Sequence, residues 1–229
     1  MKSLKVVFLI CLVFSFEIFS QSLSIGLGSG LNIIKGGNYF TENLGRIGIY
    51  ENKNGTNTSF EGLSLDNEIQ FQIGAKYSLE DFPINLLLNV QYLRMRGTES
   101  MNIYNNFLER ELLYDVTTKL DIWSLQVGSS YTYNFYSLKP FITASLLFNY
   151  FDDVYVELAQ DRHISRYPDY ENGMRYGYSL GLGVSYNIFN NIELELLSRY
   201  NDLNFLNRRD GEVKLASTSL LLGIYYKVF

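Results

Sequence analysis

The chain predicts an all-β fold: an eight-stranded antiparallel up-and-down transmembrane β-barrel with short periplasmic turns and long extracellular loops. Three observations predict it. Apolar and polar residues alternate with period two in about eight segments, and a strand turns successive side chains to opposite faces at that period. One face of these segments is bulky, built of Leu, Ile, Val, Phe and Tyr, while the other is largely Gly, Ser, Thr, Asn and Gln. An export signal precedes them.

Residues 1–20 read as a signal peptide and residues 21–229 as one barrel domain. Lys2 and Lys5 supply the positive start, Val6 to Phe16 the apolar run, and Ser20 the small residue before a cut ahead of Gln21. The run is shorter than the 18 or more residues of a spanning helix, and no later segment resembles one. Cleavage removes Cys11, the only cysteine, so the mature chain has no disulfide framework and no thiolate metal site. Ile10 stands before Cys11 where a lipoprotein signal requires a small residue.

The first strand, Ser22 to Ile34, sends Leu23, Ile25, Leu27, Leu31 and Ile33 one way and Ser24, Gly26, Gly28, Gly30 and Asn32 the other. The second, near Asn67 to Ser78, opposes Ile69, Phe71, Ile73 and Tyr77 to Glu68, Gln70, Gln72, Gly74 and Lys76. In the third, Leu86, Leu88, Val90 and Tyr92 oppose Asn89 and Gln91; in the fourth, Trp123, Leu125, Val127, Tyr131 and Tyr133 oppose Ser124, Gln126, Gly128, Ser130 and Thr132. The fifth sets Ile142, Ala144, Leu146, Phe148 and Tyr150 against Thr143, Ser145 and Asn149. The sixth sets Tyr178, Leu180, Leu182, Val184 and Tyr186 against Gly177, Ser179, Gly181, Gly183 and Ser185. In the seventh, Ile192, Leu194, Leu196 and Tyr200 point outward and Glu193, Glu195 and Arg199 inward. The last opposes Leu220, Leu222, Ile224, Tyr226 and Val228 to Ser219, Gly223 and Lys227 and ends on Phe229.

Connections after the second, fourth and sixth strands are short, and those after the odd strands mostly long, the asymmetry of outer-membrane barrels. Asn54-Gly55 and Asp210-Gly211 have the composition of tight hairpin turns, which would continue the first and fourth loops as paired strands. Arg46 to Glu51 and Thr58 to Leu65 are alternative ninth and tenth strands, short for a span of about nine to eleven residues. A soluble lipocalin-like barrel alternates in the same way. Residue size decides between them, because an eight-stranded interior is only wide enough to be filled by side chains and cannot take the bulky face. Tyr77, Tyr92, Tyr133, Tyr150, Tyr178, Tyr186, Tyr200 and Tyr226 lie near strand ends, as interfacial aromatic girdles do.

Composition agrees. A net charge of −5 implies no surface for nucleic acid. Mean hydropathy is near zero, as expected when lipid-facing and lumen-facing residues cancel. Chemistry is scarce, and no catalytic residue, cofactor or metal site is expected. Gly26-x-Gly28-x-Gly30 lacks the helix and Lys-Ser/Thr pair of a phosphate loop. His163, the only histidine, lies in the third loop with Asp161, Ser165 and Asp169, which leaves a lipid-modifying enzyme as an alternative function. Asp152, Asp153, Glu157, Asp161, Asp169 and Glu171 read as a solvated acidic loop, with a divalent cation shared with lipopolysaccharide as the alternative.

The lumen charges are the candidate site. Entering from the periplasm, the seventh strand carries Glu193 and Glu195 at nearly the depth of Lys227, with Lys76 near the same end and Arg199 a little higher. Charges removed from water persist when paired, so these five form an expected salt-bridged structural plug, with a gated pore as the alternative.

The opening strand with Gly26, Gly28, Gly30 and Leu31-Asn32, and the close with Leu220, Gly223, Tyr225, Tyr226 and Phe229, resemble the OmpA-like, OmpX-like and especially PorT-like outer-membrane barrels. Lys227 stands where the usual terminal signature has an apolar or aromatic residue. Such families are mostly structural, adhesive or of unassigned function, which is what the resemblance implies, and the expected role is a non-enzymatic one in envelope structure or surface interaction. The expected partners are outer-membrane lipids and lipopolysaccharide, the barrel-insertion machinery, and an extracellular protein or surface ligand held by the loops.

Overall fold

The computed structural model describes residues 21–35, 68–79, 82–105, 110–133, 135, 137–160, 163–168, 172–208 and 214–229. They form β1 Gln21–Lys35, β2 Glu68–Leu79, β3 Ile84–Asn105, β4 Arg110–Thr132, β5 Leu138–Gln160, β6 His163–Pro168, β7 Gly173–Phe189, β8 Ile192–Leu206 and β9 Ala216–Lys227. Eight of them close a ring, each antiparallel to the next: β1, β2, β3, β4, β5, β7, β8, β9 and back to β1. The ring closes without residues 46–51 or 58–65, which lie outside the described residues, as do the signal segment and the Asn54-Gly55 and Asp210-Gly211 turns. The last strand closes on the first: Leu23 N donates to Phe229 O at 3.1 Å and Val228 N to Leu23 O at 2.7 Å.

The short connections Leu79–Ile84, Thr132–Leu138 and Phe189–Ile192 all lie at one end, with both ends of the domain. The bulky face is outside. Leu27, Ile73, Leu146 and Leu182 are 65%, 61%, 62% and 67% exposed, the reverse of a lipocalin-like barrel, whose apolar face lines the interior. From Tyr133, just past the end of β4, to Trp123 on it, a chain rising about 3.3 Å per residue and tilted about 40° climbs roughly 25 Å, the height of the apolar band of an outer-membrane barrel.

Above that band the faces invert. On β3, Leu93 and Met95 are 1% and 0% exposed while Arg94 between them faces out; on β4, Leu120 and Ile122 are buried while Lys119 and Asp121 take the outer side. This is the pattern of a wall standing in water, polar outside and apolar inside, so the inversion marks the upper edge of the band. It also corrects an expectation. The segments after Tyr92 and Tyr150, read as loops, continue as strands: β3 and β4 pair to Asn105↔Arg110, and β5 returns through β6 by pairs from Tyr155↔Pro168 to Gln160↔His163. Where the side chains are described, from Leu93 to Arg96 and from Lys119 to Ile122, period two persists with the apolar residues inward.

The lumen is filled in tiers and is less uniformly polar than its composition suggests. Its middle holds Phe141, Leu197 and Leu221 in one apolar cluster. Near the long-hairpin end it is closed by Leu93, Met95, Leu120, Ile122, Leu147, Phe151, Leu203 and Leu215, all at most 2% exposed. Asn149 on β5 donates to Leu203 O at 2.5 Å across β7, so the end of β8 leans over the mouth. Asn204 Oδ1 accepts from Leu215 N at 2.7 Å, tying the end of β8 to the residue that precedes β9. Asn207, at φ 62°, takes the left-handed conformation an Asn tolerates and ends the strand. The Lys214 ammonium lies 2.9 Å from the Asp202 carboxylate, and the hydrogen bonds it donates to Asp202 and then to Tyr200 hold its pKa above the ordinary lysine value.

Candidate functional site

At the short-turn end the lumen opens into a vestibule of about 300 Å³, lined among others by Ser24, Lys76, Lys139, Glu193, Glu195 and Lys227. Of the five lumen residues expected to cluster, the structure joins three. Lys76 on β2 donates to Glu193 Oε1 and, at 3.3 Å, to Glu195 Oε2, both on β8. The lysine and Glu195 side chains are about nine-tenths buried, and Glu193 is 20% exposed. One ammonium thus meets two carboxylates at the inner edge of a wet cavity. Lys76 also stands 4.7 Å from the centre of the Tyr225 ring, a cation–π contact that floors the vestibule.

Lys227 lines the same vestibule, level with Ser24 and, through it, with Lys76 in the strand register. Arg199 sits apart. Its guanidinium, 1% exposed, lies deeper and donates to Gln126 Oε1 at 2.7 Å and to Gln91 Oε1, on the opposite wall. Asn89 Nδ2 donates to the same Gln126 oxygen at 3.3 Å. Two neutral amides therefore hold the arginine, a cradle the sequence reading missed because Gln91 and Gln126 are far from Arg199 along the chain.

Glycines make room for these side chains. A Cβ on Gly26 would meet the Tyr225 ring and, at 2.6 Å, the Ile224 carbonyl oxygen; one on Gly181 would meet Thr143, Leu197 and Arg199. Gly26→Ala is therefore expected to destabilise the barrel by about 1–3 kcal/mol through overpacking against backbone. Urea unfolding in lipid checks it, with Ser29→Ala, in the same strand but off the lumen tier, as the comparison.

His163 begins β6 and is registered opposite Gln160, at the tip of the hairpin. Ser165 is opposite Leu158 in the same hairpin, while Asp161 and Asp169 lie outside the described residues. Among the described residues no group of three or more His, Cys, Asp or Glu converges to hold a metal ion.

No family model matches the chain, and no curated protein is similar to it in sequence. Among solved structures it is similar to neisserial surface protein A, with a TM-score of 0.52 and 14% identity over 90% of this chain and 98% of that one. It is also similar to Ail, the attachment invasion locus protein of Yersinia pestis (TM-score 0.41, 12% identity, 90% and 97% covered). A third is the N-terminal β-barrel domain of Pseudomonas aeruginosa OprF (TM-score 0.35, 11% identity, 89% and 97% covered). At these identities the fold is what is shared: the chain is a closed eight-stranded antiparallel barrel of the kind found in small bacterial outer-membrane proteins.

Proposed function

We propose that the protein is a non-enzymatic, non-conducting barrel of a bacterial outer membrane, exported by its first 20 residues, that serves surface interaction through a sheet standing above the membrane. The observation that carries this reading is strand length. A span takes about nine to eleven residues, whereas β3, β4 and β5 have 22, 23 and 23. The surplus of these strands, with β6, makes a four-stranded sheet beyond the apolar band, rising by as much as about 30 Å at the usual rise and tilt. On this reading the short turns face the periplasm and the sheet faces outward. Building a rigid projection costs ordering entropy that a membrane anchor alone does not need, which supports a binding role for it.

The filled lumen supports the non-conducting part. Arg199, Phe141, Leu197 and Leu221 are 1%, 7%, 6% and 1% exposed inside it, as in an eight-stranded barrel whose interior is filled by side chains. Purified protein in planar bilayers is expected to give no steady channels. Cells whose chain has residues 97–117 replaced by a two-residue turn should keep a heat-modifiable, folded barrel and lose retention of surface ligands captured by the full-length protein. Steady conductance, or unchanged capture, would overturn the reading. Lipid A unchanged by expression of either the parent or the His163→Ala chain is the expected result for a non-enzyme.

A further inference from the structure

We propose that the outer face of β3 and β4, just above the apolar band, is a binding site for the phosphate groups of an outer-leaflet lipid headgroup; the proposal rests on the outer-membrane reading above. The site starts from an aromatic pair. Tyr92 and Trp123 face each other across the two strands with ring centres 4.8 Å apart, at the upper edge of the apolar band. Amphipathic rings of this kind sit at the headgroup boundary. Two residues higher on β3 comes Arg94 and two higher again Arg96, about 5 and 10 Å further along the barrel axis. That is the depth at which lipid phosphates lie.

Among the described residues at this level, the cations Arg94, Arg96 and Lys119 stand with the carboxylates Asp121 and Asp152. Arg94 is registered opposite Asp121, and Arg96 directly opposite Lys119. Like charges in cross-strand register repel, because their Cβ atoms are only about 5 Å apart, so the pairing is unfavourable unless an anion lies between them. Lys119 is partly neutralised by Asp121, at 3.2 Å. Asp121 also accepts a hydrogen bond from Tyr92, and Asp152 on β5 is registered beside it and bound to Asn172 at 3.0 Å. The carboxylates are thus gathered on the β4–β5 side and the guanidinia on the β3 side. Among the described residues Arg94 has no carboxylate within an ion pair, and the Arg96 Nε is buried with no hydrogen-bond partner. Two arginines on one strand offer planar forks that match phosphate oxygens. The aromatic pair beneath them would meet the upper part of the acyl chains.

The test uses the full mature chain folded in nanodiscs, with native mass spectrometry counting retained bis-phosphorylated lipid A. The parent should retain it at least tenfold better than dephosphorylated lipid A. Arg94→Gln with Arg96→Gln should lose that preference, and Arg94→Gln alone, at an exposed position, should lose part of it. Arg208→Gln, an exposed cation away from these strands, should behave as the parent. Equal retention by the double variant, or equal loss in Arg208→Gln, would overturn the site. Displacement by millimolar inorganic phosphate would instead assign the arginines to a free anion and overturn the lipid reading. Each variant is first shown to be folded by heat-modifiable gel migration, and membrane fractionation separates a failure of this site from a failure of the outer-membrane location.

Discussion

Lys76→Met is expected to destabilise the barrel by about 3 kcal/mol, more than the loss of any other lumen cation near the vestibule. The ammonium is bound to both Glu193 and Glu195, so its removal leaves two carboxylates side by side at the inner edge of the cavity. Breaking a buried pair by deleting one partner costs about 3 to 5 kcal/mol, and the lower value applies here because Glu193 is 20% exposed and the vestibule admits water. Against a total stability on the order of 5 to 15 kcal/mol this is a large fraction. Lys227→Met, at the rim, should cost about 1 kcal/mol or less, as exposed pairs do. Adding Glu195→Gln to Lys76→Met should recover part of the loss and give a coupling above about 0.5 kcal/mol in a double-mutant cycle. Urea titration of protein folded in lipid reads all four states. A Lys76→Met barrel as stable as the parent would show that the carboxylates gain nothing from the lysine, and the plug idea would fail.

The wall of the barrel was legible because lipid imposes one rule on every strand. Outward positions such as Ile25, Leu27 and Leu31, or Leu220, Leu222, Ile224 and Tyr226, are apolar, with Ser29 as an exception, so alternation reports the fold directly. The lumen obeys no such rule. Lys76, Glu193 and Glu195 could be brought together because topology puts the end of the second membrane strand and the start of the seventh at the same end. Which side chain meets which across the interior depends on tilt and shear, and these leave no trace in the local pattern. Arg199 was therefore assigned to the glutamates, although its hydrogen bonds go to Gln91 and Gln126 on the far wall. The projecting hairpins hid for a related reason. Leu93 and Met95 alternate with Arg94 and Arg96 as regularly as the membrane strands do, but with the faces exchanged, and a search for bulky outward residues stops at Tyr92.

The other large effect contrasts one substitution at two places on a single strand. Leu182 lies midway between Tyr178 and Tyr186 on β7 and is 67% exposed on the outer wall. Leu182→Arg should cost about 2 to 4 kcal/mol, the cost of a cation on the lipid face near the midplane. Ser185, three residues along, is 3% exposed on the lumen side and is registered directly opposite Glu195. An arginine there would enter the vestibule beside the two carboxylates that Lys76 bonds, so Ser185→Arg should cost well under half as much. Gln126→Arg is a poorer lumen control, because it would set a second guanidinium against Arg199 where an amide oxygen now accepts. Folding yield into vesicles, followed by heat-modifiable migration, orders the variants. If Ser185→Arg proved as damaging as Leu182→Arg while Ser185→Gln was tolerated, the carboxylates would be neutral or satisfied without a second cation. If Leu182→Arg folded as readily as the parent, the exposed apolar band would not be meeting lipid.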